Sequence, residues 1–224
     1  MGAARARVRP RKLPVQRRSR QTVDAILRGA ARVLVRRGWA GMTTNHVAVA
    51  AGVSIGSLYE YFPGKEALVL ALAERHLDAA EASLLAHLGE VLPRALDRPL
   101  GEVVRALVSV MVALHAEEPR LHRALFEVAP RLPELAGRVR RLEEASVRML
   151  EGLLRAHPEA RVRDAGLSAR LVVELVEALT HRWVVGADGA PVAADRMADE
   201  LAAMVTGYLR GAESAASGAG LAAT

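Results

Sequence analysis

The sequence contains no cysteine, and aromatic residues make up only 3% of its 224 residues. Without cysteine, the chain can form neither disulfides nor thiolate sites for zinc or iron–sulfur clusters, and it has no cysteine nucleophile. Because aromatic residues are so scarce, the core must be built from Leu, Val and Ala. The 51% of hydrophobic residues excludes a disordered chain. A cysteine-free chain fits a reducing compartment, and we expect a cytoplasmic protein.

Long hydrophobic runs are also lacking. The longest stretch without a charged side chain, Gly38–Tyr59, contains four glycines and several polar residues, which makes it too polar for a membrane span. No apolar segment follows the basic N-terminus, so we expect no secretory signal. A transit peptide is disfavoured because Pro10 and Pro14 would interrupt its amphipathic helix. We therefore expect no membrane partner.

Basic residues are concentrated at the start of the chain, and all of them except Lys12 and Lys65 are arginines. Residues 1–76 carry 14 basic and 4 acidic side chains, whereas the remainder carries 17 basic and 21 acidic ones. The first third therefore has a net charge of +10 and the remainder −4. This asymmetry indicates a polyanionic partner for the first third. The alternative is a solvated basic tail that binds nothing specific.

Apolar residues recur at steps of three and four along most of the chain, and no stretch shows a convincing alternation of period two. The pattern predicts an all-α protein with about nine helices. Ser19, Ser54 and Asp97 are expected N-caps, and Gly38 is an expected helix end. The predicted helices cover approximately residues 19–37, 43–51, 55–61, 65–92, 97–116, 118–128, 133–156, 167–185 and 191–211.

Two of these helices, 43–51 and 55–61, are short and are separated by a turn at Gly52, an arrangement that describes a helix-turn-helix. Ala48 is small enough to lie where the two helices cross. From Gly52 to Leu68 the chain reads Gly-Val-Ser-x-Gly-Ser-Leu-Tyr-x-Tyr-Phe-x-x-Lys-Glu-x-Leu. This run closely resembles the DNA-binding domain of the tetracycline-repressor (TetR) family of bacterial regulators.

The resemblance covers about residues 19–75, and beyond them only the length and the number of helices match the family. It implies that Thr44 and Asn45 meet a phosphate or a base edge, and that Tyr61 and Lys65 hold phosphates. Lys65 also begins a helix, whose N-terminal amides favour an anion. The recognition-helix residues that would enter the major groove are Ser54, Ile55, Gly56, Ser57 and Tyr59.

The recognition helix has no Arg, Lys, Asn or Gln between Val53 and Tyr59, and these are the side chains that make bidentate base contacts. We therefore predict a larger contribution from phosphate contacts and DNA shape, with Ile55 against a thymine methyl. For Phe62 we favour core packing. For Tyr59 we favour a DNA contact, because its hydroxyl can stay exposed to solvent. The sequence departs from the family at Val49, a position that is usually polar; Val49 either packs against a neighbouring helix or is exposed.

The resemblance also implies a domain organisation. We expect a homodimer, because the helices 167–185 and 191–211 are more apolar than one buried face requires; the alternative is a buried core. The predicted domains are a disordered basic arm (1–18), a helix-turn-helix domain (19–64), a helical ligand-binding and dimerisation domain (65–213) and a frayed tail (214–224). The predicted dimer-interface residues are Leu171, Leu175, Leu179, Trp183, Leu201 and Met204.

The resemblance implies that the helices between residues 65 and 156 enclose an effector cavity, and the scarcity of aromatic residues suits a lipophilic ligand. Core packing is the alternative for each candidate lining residue. These candidates are Met111, His115, Phe126 and Met149.

No enzyme motif is present: the chain has no His-Glu-x-x-His, no Gly-x-Ser-x-Gly and no Gly-x-x-x-x-Gly-Lys. Its seven histidines show no metal-ligand spacing, so we expect no catalytic residues, no metal and no cofactor. The prediction is a bacterial repressor that binds a palindromic operator in double-stranded DNA as a homodimer and is released by a small lipophilic effector. One alternative is a DNA-binding regulator without a small-molecule switch; another is a basic helical adaptor that binds membranes.

Overall fold

The computed structural model describes residues 17–185 and 193–211, and these form nine α-helices and no strand. This confirms the predicted fold class. Short 3₁₀ turns cover Leu92–Asp97 and Ala129–Arg131, and a π-helical segment, His181–Val185, continues α8. The helices are α1 Arg17–Gly41, α2 Thr44–Ala51, α3 Ile55–Tyr61, α4 Lys65–Val91, α5 Leu100–Glu117, α6 Pro119–Val128, α7 Pro133–Ala156, α8 Ala165–Thr180 and α9 Ala194–Leu209.

The predicted arm and the predicted tail lie outside the described residues, except for two arginines of the arm. Arg17 and Arg18 already belong to α1, so Ser19 lies inside that helix and its predicted role as N-cap is wrong. Asp97 is likewise not an N-cap, because it ends the 3₁₀ turn before α5. No described helix combines the length and the hydrophobicity needed to cross a bilayer.

The chain packs as two compact units. The N-terminal unit comprises the described residues up to Ser83 together with Glu117–Leu142, so its boundary differs from the predicted one after residue 64. The first half of α4 belongs to this unit because Leu68 and Leu72 are buried in one core with Ile26 and Leu58. α6 joins the same unit through two buried leucines, Leu121 and Leu125.

The C-terminal unit comprises Leu84–Ala116 and the residues from Glu143 onward. Its buried core has no aromatic side chain among the described residues, as the composition predicted. The core contains, from α5, α7, α8 and α9 in turn, Leu100, Val103, Leu150, Leu153, Val172, Val176, Met197, Leu201, Val205 and Leu209.

The two helices α1 and α2 approach each other closely at Gly29, a residue that the sequence pattern did not single out. A Cβ atom at this position would lie 3.0 Å from both Cβ and N of Ala51 and 3.1 Å from the carbonyl oxygen of Val47. These are largely backbone atoms, which cannot move aside as a flexible side chain can. The absence of a side chain at Gly29 therefore sets the distance at which α2 packs on α1.

We predict that Gly29→Ala destabilises the N-terminal unit by about 1–3 kcal/mol, because overpacking forces two helices apart. The matched control is Gly89→Ala in α4, where an added Cβ meets nothing within 4 Å. That control should be neutral or raise stability by up to about 1 kcal/mol through its better helix propensity. Urea unfolding followed by circular dichroism measures both; equal effects of the two substitutions would contradict the role assigned to Gly29.

Candidate DNA-binding site

The helix-turn-helix is closed by caps that the sequence supplies locally. Thr43 accepts a hydrogen bond from the backbone N–H of His46 at 3.2 Å and so caps α2. Gly52 ends α2 in the left-handed conformation, with φ of 69°, which a residue with a side chain rarely adopts. Ser54 then caps α3 by accepting from the backbone N–H of Ser57 at 3.0 Å. Thr43 therefore fixes the start of α2, and Gly52 and Ser54 fix the turn between the two helices.

α3 is only seven residues long and is held by one face. Leu58 is completely buried and Phe62, the residue that ends α3, is 1% exposed, so the core-packing interpretation of Phe62 agrees with the structure. The opposite face is open to solvent: Ser54, Ile55 and Gly56 are exposed, and Tyr59 is 42% exposed. Of the predicted contact residues on α3, Ser57 and Tyr61 are half-buried.

Hydroxyl groups dominate this open face. The Thr44 hydroxyl at the start of α2 hydrogen-bonds the Tyr59 hydroxyl at 3.0 Å, and the hydroxyls of Ser54 and Ser57 lie 2.9 Å apart. Asn45 is exposed beside Thr44. The structure thus brings Thr44 and Tyr59 together across the turn, which was not predicted. Each hydroxyl both donates and accepts, so the pair can be shared with a phosphate or a base edge.

Lys65, at the first position of α4, is held by the end of α1. Its Nζ donates to the Trp39 carbonyl oxygen at 3.2 Å and lies 4.3 Å from the centre of the Trp39 ring, a cation–π contact. The sequence did not predict this role for Trp39. An ammonium group has three N–H donors, so a phosphate contact by Lys65 stays possible. Tyr61, the other predicted phosphate contact, is half-buried and packs against the core of the unit.

The exposed face of α3 carries no basic side chain, and the positive charge of this region lies on other helices. Gly38–Tyr59 has no charged side chain. The exposed side of α1 carries five arginines: Arg20, Arg28, Arg32, Arg36 and Arg37. Arg32 also donates to the carbonyl oxygen of Ala50 at the end of α2, which joins the two helices. Val49 is 83% exposed, so of its two predicted environments the structure shows the exposed one.

The predicted dimer-interface residues separate into two groups in the C-terminal unit. Leu171, Leu175, Trp183 and Met204 are exposed, although all are large and apolar. Leu201 is 3% exposed and belongs to the core of its own chain, so it offers little surface to a partner. The remaining residue, Leu179, is half-buried and packs against that core.

The predicted pocket residues are divided between the two units. Phe126 is exposed in the N-terminal unit, whereas the other three candidates lie in the C-terminal unit. There His115 is buried, and Met111 and Met149 are half-buried. Surface grooves of about 410 and 450 Å³ occur in the C-terminal unit, but none of the four candidates lines them.

Titratable groups in the described part of each unit are closer together than their sequence spacing suggested. In the N-terminal unit, the imidazoles of His76 and His122 are hydrogen-bonded at 3.1 Å, and burial lowers the pKa of His76 in spite of Glu118 nearby. In the C-terminal unit, burial and then the charge of His115 lower the pKa of His181 to about 4. Burial, with the charge and hydrogen bond of Glu143 and the charge of Glu174, raises the pKa of Glu177 to about 7. Sequence alone gave no signal for these pairs because their members lie on different helices.

A capped two-helix motif with a short, solvent-facing second helix defines a helix-turn-helix DNA-binding domain. Comparison with known families supports this directly. Residues 26–72 match the model for bacterial regulatory proteins of the tetR family, and residues 99–209 match a tetracyclin repressor-like C-terminal domain. Together these segments cover more than half of the chain. The chain therefore belongs to the TetR family of bacterial transcriptional regulators, and it is a DNA-binding protein.

Individual relatives agree with this assignment. Two HTH-type transcriptional regulators from Mycobacterium tuberculosis, both described as uncharacterized, are 28% identical over 163 residues, which is 71% of this chain and 77% of theirs. A TetR-like transcriptional regulator from Rhodococcus has a similar fold, with a TM-score of 0.66 at 22% identity over 89% of this chain and all of that chain. The fatty acid degradation regulator FadR from Bacillus halodurans has a TM-score of 0.64 at 18% identity, over 84% of this chain and 96% of its own.

We predict that Tyr59→Phe weakens DNA binding roughly 2- to 10-fold, the loss expected for one hydrogen bond. Stability should change little because the Tyr59 hydroxyl is on an exposed side chain. Thr206→Val is the matched control: it removes a hydroxyl from α9 in the C-terminal unit, outside the helix-turn-helix. Fluorescence anisotropy at fixed salt measures both affinities, and an unchanged affinity of Tyr59→Phe would exclude a DNA contact by this hydroxyl.

Proposed function

We propose that the protein is a homodimeric repressor that binds a palindromic operator. The observation that carries this proposal is a strip of exposed apolar side chains on two helices of the C-terminal unit, which we call the α8–α9 strip. Leu167, Leu171 and Leu175 follow one another at steps of four on α8, and Met204 and Tyr208 do so on α9. A groove of about 450 Å³ runs along this strip, lined among others by Leu171, Met204 and Tyr208.

Exposed apolar side chains that form one continuous stripe indicate a partner surface rather than ordinary surface composition. The simplest partner is a second copy of the chain, because two stripes of two helices each complete a four-helix bundle. A two-fold axis through that bundle presents the same surface from both chains. Such a dimer carries two recognition helices, which fit half-sites about one DNA turn apart.

The repressor role follows from how the dimer would occupy DNA. Each α3 enters a major groove, and the face built by Thr44, Ser54, Ser57 and Tyr59 contacts bases and phosphates through hydroxyls. The arginines of α1 add charge without sequence information. A dimer held on a palindrome in this way excludes other proteins from the same DNA. We place this activity in the bacterial cytoplasm, where the operator is.

We predict that Leu175→Glu converts the dimer to a monomer, because it places a charge in the α8–α9 strip, where it would be desolvated in the bundle. Operator affinity should then fall at least 10-fold. Leu85→Glu is the matched control, since Leu85 is an exposed leucine of α4 in the same unit but outside the strip. Light scattering coupled to gel filtration gives the mass, and a dimeric Leu175→Glu would place the interface elsewhere.

A second element of the proposal is release from DNA by a small lipophilic effector. Met111 and Met149 are half-buried, Met111 packs against the aliphatic core, and methionine adapts readily to apolar ligands. Two of the structural neighbours are described as regulators of fatty acid metabolism, one from Bacillus halodurans and one from Clostridium perfringens. These descriptions make long-chain acyl compounds the first class to test.

We predict that at least one long-chain fatty acid or its coenzyme A ester releases the protein from its operator. The operator is first obtained by selecting bound fragments from random DNA. A chain-length series is then titrated into the complex and followed by anisotropy, with octyl glucoside as a detergent control. Release by no member of the series would favour the alternative, a DNA-binding regulator without a small-molecule switch.

A further inference from the structure

Glu60 is the one charged residue of α3, and it is not among the predicted DNA contacts. It follows a stretch, Gly38–Tyr59, that has no charged side chain. The residue is exposed, and within the described part of the chain its carboxylate forms no ion pair and no hydrogen bond. An acidic side chain on a helix that faces a polyanion is electrostatically unfavourable, so its place on this helix requires an explanation.

The periodicity of the helix places Glu60 in the middle of the outward face of α3. Successive residues of an α-helix are rotated by about 100°, so residues two positions away from the completely buried Leu58 lie about 160° from it. These residues are Gly56 and Glu60, and both are exposed. Gly56 has no side chain, and a Cβ atom added there would meet only the Ser54 hydroxyl, at 3.8 Å. The surface one turn before Glu60 is therefore open and does not hold DNA away from the carboxylate.

The major groove of DNA offers a carboxylate few favourable positions. Helix-turn-helix domains place their second helix in this groove, where each base edge presents its own pattern of donors and acceptors. A carboxylate only accepts hydrogen bonds, so it is repelled by guanine, with acceptors at O6 and N7, and by thymine, with an acceptor at O4. Adenine presents a donor at N6 beside an acceptor at N7. Cytosine presents a donor at N4 and no acceptor of its own, which makes it the best match.

The hydroxyls of the same helix do not make this distinction. Ser57 and Tyr59 are the neighbouring residues of α3 that carry hydroxyls. A hydroxyl both donates and accepts, so it can meet either a donor or an acceptor on a base edge. Glu60 is therefore the side chain of α3 that decides the sign of a base contact.

We propose that Glu60 is a specificity-determining residue that accepts a hydrogen bond from the N4 amino group of a cytosine in the major groove. The proposal rests on the proposed function, because it requires α3 to enter that groove, and it adds a contact of a different chemistry to the hydroxyl contacts. Phosphates repel the carboxylate on every sequence. Glu60 therefore acts by weakening the binding of wrong sequences rather than by tightening the binding of all.

The test combines changes in the protein with changes in the DNA. The operator is selected from random DNA with the unaltered protein, and each cytosine of a half-site is then replaced by thymine, with adenine opposite, which puts an acceptor in place of the N4 donor. One of these replacements should lower the affinity of the unaltered protein roughly 5-fold or more, and that of Glu60→Ala by less than about 2-fold. In a second selection, Glu60→Gln should prefer adenine at that position, because an amide pairs with both N6 and N7.

Glu74→Gln is the matched control, since Glu74 is an exposed glutamate of α4 in the same unit. Glu60→Gln and Glu74→Gln remove the same charge, so both should bind random DNA somewhat more tightly, but only Glu60→Gln should change the base preference. Fluorescence anisotropy at fixed salt gives the affinities, and circular dichroism checks the fold. Glu60→Gln keeps the shape of the side chain, so the base preference remains measurable even if Glu60→Ala unfolds.

Two outcomes would overturn the role of Glu60 alone. One is an equal loss of affinity by the unaltered protein and the Glu60 variants at every replaced cytosine, and the other is an equal change of preference in Glu74→Gln. A palindrome selected by the unaltered protein would still support the proposed function in either case. Selection of no common sequence by the unaltered protein would overturn both proposals.

Discussion

The DNA-reading surface depends on the burial of one face of α3 in a core shared with α1 and α4. A seven-residue helix is not stable in water alone, because helix nucleation costs more than so few hydrogen bonds return. Leu58 and Phe62 give α3 its stability by packing against Ile26 and Leu68. The exposed face is then free to carry serine, glycine and tyrosine, none of which would hold the helix by itself. The positions that anchor α3 and those that face outward are thus strictly separate.

The same separation applies to charge. The arginines lie on α1, and no charged side chain occurs from Gly38 to Tyr59, so long-range attraction to DNA arises beside the recognition helix. Attraction of this kind depends on salt and not on sequence. In the proposed complex with DNA, hydroxyls and the side chain of Ile55 distinguish the bases, each with less discrimination than a bidentate side chain. A sequence preference built from such weak contacts depends on how exactly α3 is positioned, which is why the close approach at Gly29 matters.

The sequence predicted what is encoded locally. Helix periodicity, the Gly52 turn and the Ser54 cap depend on neighbouring residues and can be recognised without a structure. The failures concern contacts between distant segments. Three contacts join residues on different helices: the approach of Gly29 to Ala51, the contact of Lys65 with Trp39, and the edge-to-face contact of His115 with His181. The prediction for Ser19 failed for a different reason. A residue that is able to cap a helix does not by itself determine where the helix begins.

The C-terminal unit combines an aliphatic core with polar groups that weaken it. The unpartnered hydroxyl of Thr180 costs about 1–3 kcal/mol, and valine in its place would have the same shape without that cost. Glu177 next to Glu143 adds electrostatic repulsion in a half-buried place. A core selected for stability alone would contain neither. Glu177 and Thr180 both lie on the turn where α8 becomes a π-helix, beside the edge-to-face contact of His115 with His181, so the stability that the unit gives up is concentrated at this turn.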